Sequence, residues 1–298
     1  MLRNPAADAR RALLGAGLAP DTPLESAPSM ANDVWLGPEF ALRVNWRGDI
    51  GRLAREARIA EHLAGDVRYP GVLTHGNDGE IEWILTKRVA GAQLGRAWVK
   101  MNVQERERAI YALASALRAL HATKTPDLPG DRDLSPPHVL PLDRLLNLLQ
   151  RAATATPLDL GFAEEIEVFL KERWPAFDEH GTGLVHGDPH FENMLWDGAN
   201  LWLLDLEWSR RSWLEVDLEI LLSVCDHPEL FASNDYASLT QSDDYRAVPG
   251  WLRDAYPELF SHPRLEDRMA VLHIARTLSH LPLSSLRVQH LRNVLENR

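Results

Sequence analysis

His186-Gly187-Asp188-Pro189-His190-Phe191-Glu192-Asn193-Met194-Leu195-Trp196-Asp197-Gly198-Ala199-Asn200-Leu201-Trp202-Leu203-Leu204-Asp205 is the stretch on which the reading of this chain turns. Residues 194–196 and 201–204 are short apolar runs joined by Asp197-Gly198-Ala199-Asn200, a hairpin signal. A turn centred on Gly198 and Ala199 puts Asn193 opposite Leu204, beside Asp205. Residues paired directly across an antiparallel ladder lie about 5 Å apart, so Asn193 and Asp205 can reach one metal ion. Their amide oxygen and carboxylate are hard ligands, the kind magnesium accepts while keeping water and phosphate oxygens in its other positions.

The first half of the stretch allows a second reading. His186, Asp188 and His190 alternate, and on a strand all three would face one way, as the zinc ligands of a metallohydrolase would. Pro189 argues against a strand, because proline removes a ladder donor and belongs at strand edges or ends. The chain is expected to leave the strand near Val185 and enter a loop, with His190 bracing that loop.

The spacing His-x-Asp followed by an Asn five positions after the Asp matches the kinase catalytic loop, in which the Asp accepts the substrate hydroxyl proton and the Asn holds magnesium. Gly187 replaces the Arg of protein kinases, and Leu206-Glu207 follows Asp205 in place of Phe-Gly. His-Gly-Asp-x-His-x-x-Asn with a following Asp at the end of a hairpin resembles the aminoglycoside phosphotransferase and choline kinase family, relatives of protein kinases that phosphorylate small molecules. The resemblance implies Asp188 as base, Asn193 and Asp205 on Mg2+, and ATP or GTP as phosphoryl donor. It makes His186, His190, Glu207 and Asp217 supporting residues, with Asp217 capping or bracing the catalytic loop and Glu207 near the acceptor.

The chain has 298 residues, 45% hydrophobic and 25% charged, an ordinary globular composition with ample sequence for a core. A net charge of −11 speaks against general nucleic-acid binding, which needs clustered Lys and Arg. No apolar run has the length of a membrane span, and residues 1–20 scatter arginines among alanines and leucines, unlike a signal peptide. A cytoplasmic protein is expected, of unknown oligomeric state. Cys225 is the single cysteine, so a cysteine metal cluster is excluded.

Residues 7–16 suggest a short helix. Residues 29–36 and 40–44 read as strands joined at Gly37-Pro38, and in a kinase-like small lobe this hairpin covers the nucleotide phosphates. Residues 26–33 hold no glycine; the family uses a looser loop that Ser29 and Asn32 fit, although plain turn residues account for both equally. Period-two alternation sets Phe40, Leu42 and Val44 on one face and Arg43 on the other. No lysine precedes Lys87, so Arg43 is the candidate for the basic residue a kinase holds on the nucleotide phosphates. Residues 51–64 carry a helical stripe of Leu53, Ala57, Ala60 and Leu63 with Glu56 inside it. A carboxylate on a buried face needs a partner, and the kinase template pairs it with Arg43; a boundary-facing Glu is the alternative. Residues 72–75 and 82–86 read as strands, and residues 85–91, with Lys87 beside the nucleotide, as the hinge.

Beyond the hinge, residues 104–122 form an amphipathic helix, residues 125–141 a proline-rich loop, and residues 142–153 and 161–173 further helices. Asp243, Asp244, Glu258, Glu266 and Asp267, with Trp251 and Tyr256, would suit a cationic amine or aminoglycoside-like acceptor; a solvated helical face explains the same charges. The fold class expected is α+β, a two-lobed protein-kinase-like fold with a β-rich nucleotide-binding lobe over residues 1–90 and a larger, mostly helical catalytic and acceptor-binding lobe over 91–298. The resulting expectation is a small-molecule kinase with a hydroxylated small-molecule acceptor. A metallohydrolase using His186, Asp188 and His190, or a nucleotide-binding module without transfer activity, stands as the alternative.

Overall fold

The computed structural model describes residues 3–29, 32–126, 141–155, 158–177, 182–280 and 282–296. The proline-rich loop expected at 125–141 falls almost wholly outside them. Helix α1 (Pro5–Gly15) starts from Asn4, whose side chain accepts from the Ala7 amide, and carries Pro in its first turn. Strands β1 (Glu25–Ala27), β2 (Asp33–Leu36) and β3 (Phe40–Asn45), helix α2 (Arg52–Ala60), and strands β4 (Val72–Asn77) and β5 (Glu82–Lys87) follow. They form an antiparallel sheet in the order β1-β2-β3-β5-β4.

The strand expected over 29–36 begins only at Asp33, and β1 was not expected at all. Glu25-Ser26-Ala27 is an edge strand with two exposed residues and no apolar alternation, so it carried no period-two signal. The hairpin with the glycine-free loop is therefore β1–β2, one strand earlier than the sequence suggested.

Alternation on β3 sorts the sheet's two faces. Phe40, Leu42 and Val44 pack with Trp83 and Leu85 against Ala9, Ala12 and Leu13 of α1. Arg43 pairs in register with Ile84, which packs with Leu53 and Ala57 of α2 on the other face.

The rest of the chain is mostly helical: β6 (Ala92–Gln93), α3 (Leu94–Trp98), α4 (Val103–Ala122), α5 (Leu142–Ala155), α6 (Leu160–Arg173), β7 (Thr182–Val185), β8 (Met194–Trp196), β9 (Leu201–Leu203), β10 (Arg210–Trp213), α7 (Glu215–Asp226), α8 (Val248–Ala255), α9 (Leu265–Leu278) and α10 (Ser285–Glu296). A capping box between Asn102 and Glu105 starts α4. Its stripe of Ile110, Leu113, Leu117 and Leu120 is fully buried, each side chain contributing about 1.5–3 kcal/mol of burial energy. That stripe packs with Phe191, Met194 and Leu203, so the scaffold helix supports the decisive stretch directly. A second core joins α5 and α6 to α9 and α10 through Leu145, Phe162, Ile274 and Leu291.

The hairpin has the expected register. Met194 pairs with Leu203 and Trp196 with Leu201, and the Leu204 amide donates to the Asn193 carbonyl at 2.9 Å. Gly91, at φ +135, lets the chain leave the sheet close to this hairpin; a Cβ there would stand 2.9 Å from the Trp196 carbonyl oxygen. Among the described residues no helix is long and apolar enough to cross a membrane.

Candidate active site

The chain leaves β7 at Val185 and turns through Gly187, at φ +84. A Cβ there would lie 2.6 Å from the Trp208 carbonyl oxygen, so the turn tolerates only glycine. Beneath it sits Asp217, fully buried on the first turn of α7. Its two carboxylate oxygens accept the His186 and Gly187 amides, each at 2.8 Å, and His121 Nε2 lies 3.0 Å away. Burial raises the Asp217 pKa, but His121 and the amides outweigh it and hold the group below the usual carboxylate range. Ser209 Oγ ties the other side of the loop by donating to the His186 carbonyl at 3.1 Å.

His186 is itself wholly buried, and its Nε2 has no hydrogen-bond partner among the described residues. No group of three His, Cys, Asp or Glu side chains able to hold a metal occurs among those residues. The alternating triad of a metallohydrolase is thus not assembled.

Asp188 projects to the surface of the cleft with its side chain 35% exposed. His190 Nε2 lies 3.4 Å from its Oδ2; burial lowers the His190 pKa, and the Asp188 carboxylate outweighs burial to leave it raised. Asn193 Nδ2 donates to the Asp188 carbonyl at 2.9 Å. That bond fixes which end of the amide points where, leaving Oδ1 as the outward acceptor.

Across the cleft, Arg43 gathers three acids. One of its terminal nitrogens contacts both Glu56 oxygens at 2.8 and 2.9 Å, and the other donates to Asp205 Oδ1 at 2.7 Å and lies 3.6 Å from Glu207. Glu56 is fully buried and also accepts from the Tyr69 hydroxyl at 2.6 Å. Burial lowers the Arg43 pKa, but Asp205, Glu56 and Glu207 hold it well above its ordinary value. Glu207 accepts from Asn32 Nδ2 at 3.1 Å; burial first and the nearby Asp205 second push its carboxyl up to about 8. Asp205 stands in the left-handed region at φ 58, ψ 62, the one non-glycine among the described residues with positive φ. Such strain costs about 1–3 kcal/mol and collects at functional sites.

Of the residues singled out in the sequence, Arg43, Glu56, Asn32, Asp205 and Glu207 meet in one cluster, with Asp188, Asn193 and His190 in another beside it. Lys87 is not brought to either. It pairs with Phe40 on the face opposite Arg43 and is exposed, because the one-residue alternation that aims Arg43 inward aims Lys87 outward. Ser29 is exposed on the β1–β2 connection. The later acids lie in ion pairs away from both clusters: Asp243 with Arg246, Asp244 with the largely buried Arg106, Glu258 with Arg118 and Asp267 with Arg264.

Sequence reasoning missed Tyr69, Arg52 and Glu192. Arg52 stacks 4.2 Å over the Trp208 ring and reaches to 3.8 Å from Glu207. Glu192 accepts from Ser233 Oγ at 2.6 Å and from the Tyr236 hydroxyl, bracing the turn that carries Asn193. A buried Glu between Phe191 and Asn193 was a signal for such a partner.

This arrangement defines a protein-kinase-like molecule with an antiparallel small lobe and a helical large lobe. Residues 31–251 match the model of the phosphotransferase enzyme family, and the chain belongs to that family. Comparison with curated protein sequences finds no significant match. Among solved structures it is similar to a choline/ethanolamine kinase family protein from Mesorhizobium loti, at 19% identity and a TM-score of 0.63, covering 99% of this chain and 93% of that one. Aminoglycoside phosphotransferase APH(2")-IIa in its gentamicin complex aligns at 17% identity and TM-score 0.63, over 100% and 98% of the two chains. Aminoglycoside phosphotransferase APH(4)-Ia, in ternary complex with ADP and hygromycin B, aligns at 14% identity and TM-score 0.63, over 95% and 94%.

Proposed function

We propose that the protein transfers the γ-phosphoryl group of ATP or GTP to a hydroxyl of a small molecule in the cytoplasm, with nucleotide held by residues 1–90 and acceptor by 91–298. The observation that carries this reading is the junction at Arg43, which ties the small-lobe Glu56 to Asp205 beside the Asp188 and Asn193 pair. The family membership and the nucleotide-bound relatives support the donor.

Asp188 is the acceptor-side base: exposed, on a rigid loop, and in reach of an incoming hydroxyl. Its carboxylate orients that hydroxyl and accepts its proton as the phosphoryl group moves. The Asn193 Oδ1 and the Asp205 carboxylate are a hard oxygen pair that fits magnesium, and Mg2+ bound there supplies charge neutralisation to the transferring phosphoryl oxygens. Arg43 lies where its fork can meet nucleotide phosphate as well as Glu56. Positioning and electrostatics then carry the rate.

The test is ATP- and GTP-dependent phosphorylation of a panel of hydroxylated metabolites and antibiotics, choline and aminoglycosides included, with product read by 31P NMR. Transfer by the wild type and its loss in Asp188→Ala, with nucleotide binding retained, is the expected result. Full transfer in Asp188→Ala sinks the assignment, and nucleotide binding without any transfer makes the chain a binding module.

A further inference from the structure

A cavity of about 260 Å³ opens against Asp188 and is lined further by Trp208, Phe231, Arg276, His280 and Arg287. Its cationic wall comes from the end of α9 and the start of α10. Arg276 is already engaged: its Nε contacts both Glu219 oxygens at 2.9 and 2.8 Å, and a terminal nitrogen meets Ser223 Oγ at 2.5 Å. Glu219, 2% exposed, also lies 3.1 Å from His273 Nδ1, so its charge is fully committed.

Arg287 is different. Its guanidinium reaches only the His280 carbonyl, at 3.4 Å, and no carboxylate stands within ion-pair distance among the described residues. Burial and then the neighbouring Arg276 pull its pKa down. His290 on α10 is lowered likewise, by burial first and then by His227, His273, Arg276 and Arg287. With Arg276 neutralised by Glu219, Arg287 is the lining cation that has no carboxylate within ion-pair distance among the described residues.

We infer that the acceptor is an anionic hydroxy compound, its carboxylate or phosphate group seated on Arg287 while its hydroxyl faces Asp188. This rests on the phosphotransferase reading of Asp188 and adds the acceptor's charge. An anion neutralises the facing guanidiniums and takes the fork of Arg287, a geometry suited to planar or tetrahedral oxyanions. A cationic amine in the same cavity meets two arginines and has only Asp188 to turn to. The aromatic lining fits the carbon skeleton of a sugar-sized molecule.

The experiment measures binding by calorimetry, and ATP-dependent transfer separately, with four matched probes: gluconate, glucose 6-phosphate, glucose and glucosamine. The expected result is tighter binding of gluconate or glucose 6-phosphate than of glucose, with glucosamine weakest; whichever anion wins identifies carboxylate or phosphate. Arg287→Gln should weaken that anion about 10-fold or more, raise its KM more than it lowers kcat, and leave glucose unchanged; Arg287→Lys should restore part of the affinity. Equal or weaker binding of the anions than of glucosamine, including no binding at all, or an Arg287→Gln variant as tight as wild type, overturns the inference. Arg287-dependent anion binding with no transfer under any condition leaves this inference standing and sinks the phosphotransferase reading.

Discussion

On the small-lobe side of Asp188 one guanidinium, Arg43, is shared among Glu56, Asp205 and Glu207, whereas on the large-lobe side Arg276 and Arg287 line a cavity, Arg276 already paired with the buried Glu219 behind it. The first side has acid in excess, and the second holds an arginine, Arg287, with no carboxylate within ion-pair distance among the described residues. Surplus carboxylate at Asp205 and Glu207 suits a divalent cation; burial first, and then the nearby Asp205, push the Glu207 pKa up. Surplus guanidinium at Arg287 suits an anion. In the proposed reaction, charge more than shape sorts the two reactants to opposite sides of Asp188.

The largest effect that would break this comparison is Arg43→Ala. It leaves the fully buried Glu56 without its cation, and removing one partner of a buried pair costs about 3–5 kcal/mol. Denaturant unfolding should show that loss, and the Arg43→Ala, Glu56→Gln double variant should be less damaged than the sum of the singles; strict additivity would dissolve the pair. Next, Asp205→Asn should cut kcat about 100-fold or more and flatten its dependence on magnesium concentration. Steady-state kinetics across a magnesium titration checks it.

A smaller effect is expected at Asp217→Asn, about 1–2 kcal/mol, because an amide supplies one acceptor oxygen where two backbone N–H groups need two. The pH dependence has a definite sign. The Asp217 pKa is depressed in the folded state, so its stabilisation is present above the ordinary value of 3.8 and is lost as pH falls through the folded value. Melting temperature against pH should therefore fall more gently at its acid end in the variant than in the wild type. Smallest of all, Glu258→Gln should change stability by less than about 0.5 kcal/mol and leave acceptor KM untouched, since its partner Arg118 is half exposed on the surface. A raised KM there would return the acidic C-terminal residues to the acceptor site.

The two sides also differ in how far the sequence revealed them. Arg43 and Glu56 were readable because each breaks a local pattern, one by alternation on a strand and the other by sitting inside an apolar helical stripe. The hairpin register followed from turn chemistry, and the Leu204 amide lies on the Asn193 carbonyl accordingly. Lys87 was misplaced by the same alternation, one residue past the last inward position. The wall of the proposed acceptor site was not legible, because Arg276 and Arg287 lie on different helices, far beyond Asp205 in the chain, and are brought to the cleft only by packing between α9, α10 and α5. A hint existed in α7: Glu215 and Glu219 stand one turn apart on a mostly buried helix, and each has an arginine partner on α9, Arg268 and Arg276. Edge strand β1 left no hint, being short, exposed and without alternation.

The most direct test of this account is a crystal structure grown with Mn2+ and a non-hydrolysable ATP analogue, read by anomalous scattering from the metal. The account predicts a manganese peak coordinated by the Asn193 amide oxygen and the Asp205 carboxylate, on the Arg43 side of Asp188. A peak on His186 and His190, or nucleotide bound with no metal at Asn193 and Asp205, would contradict it.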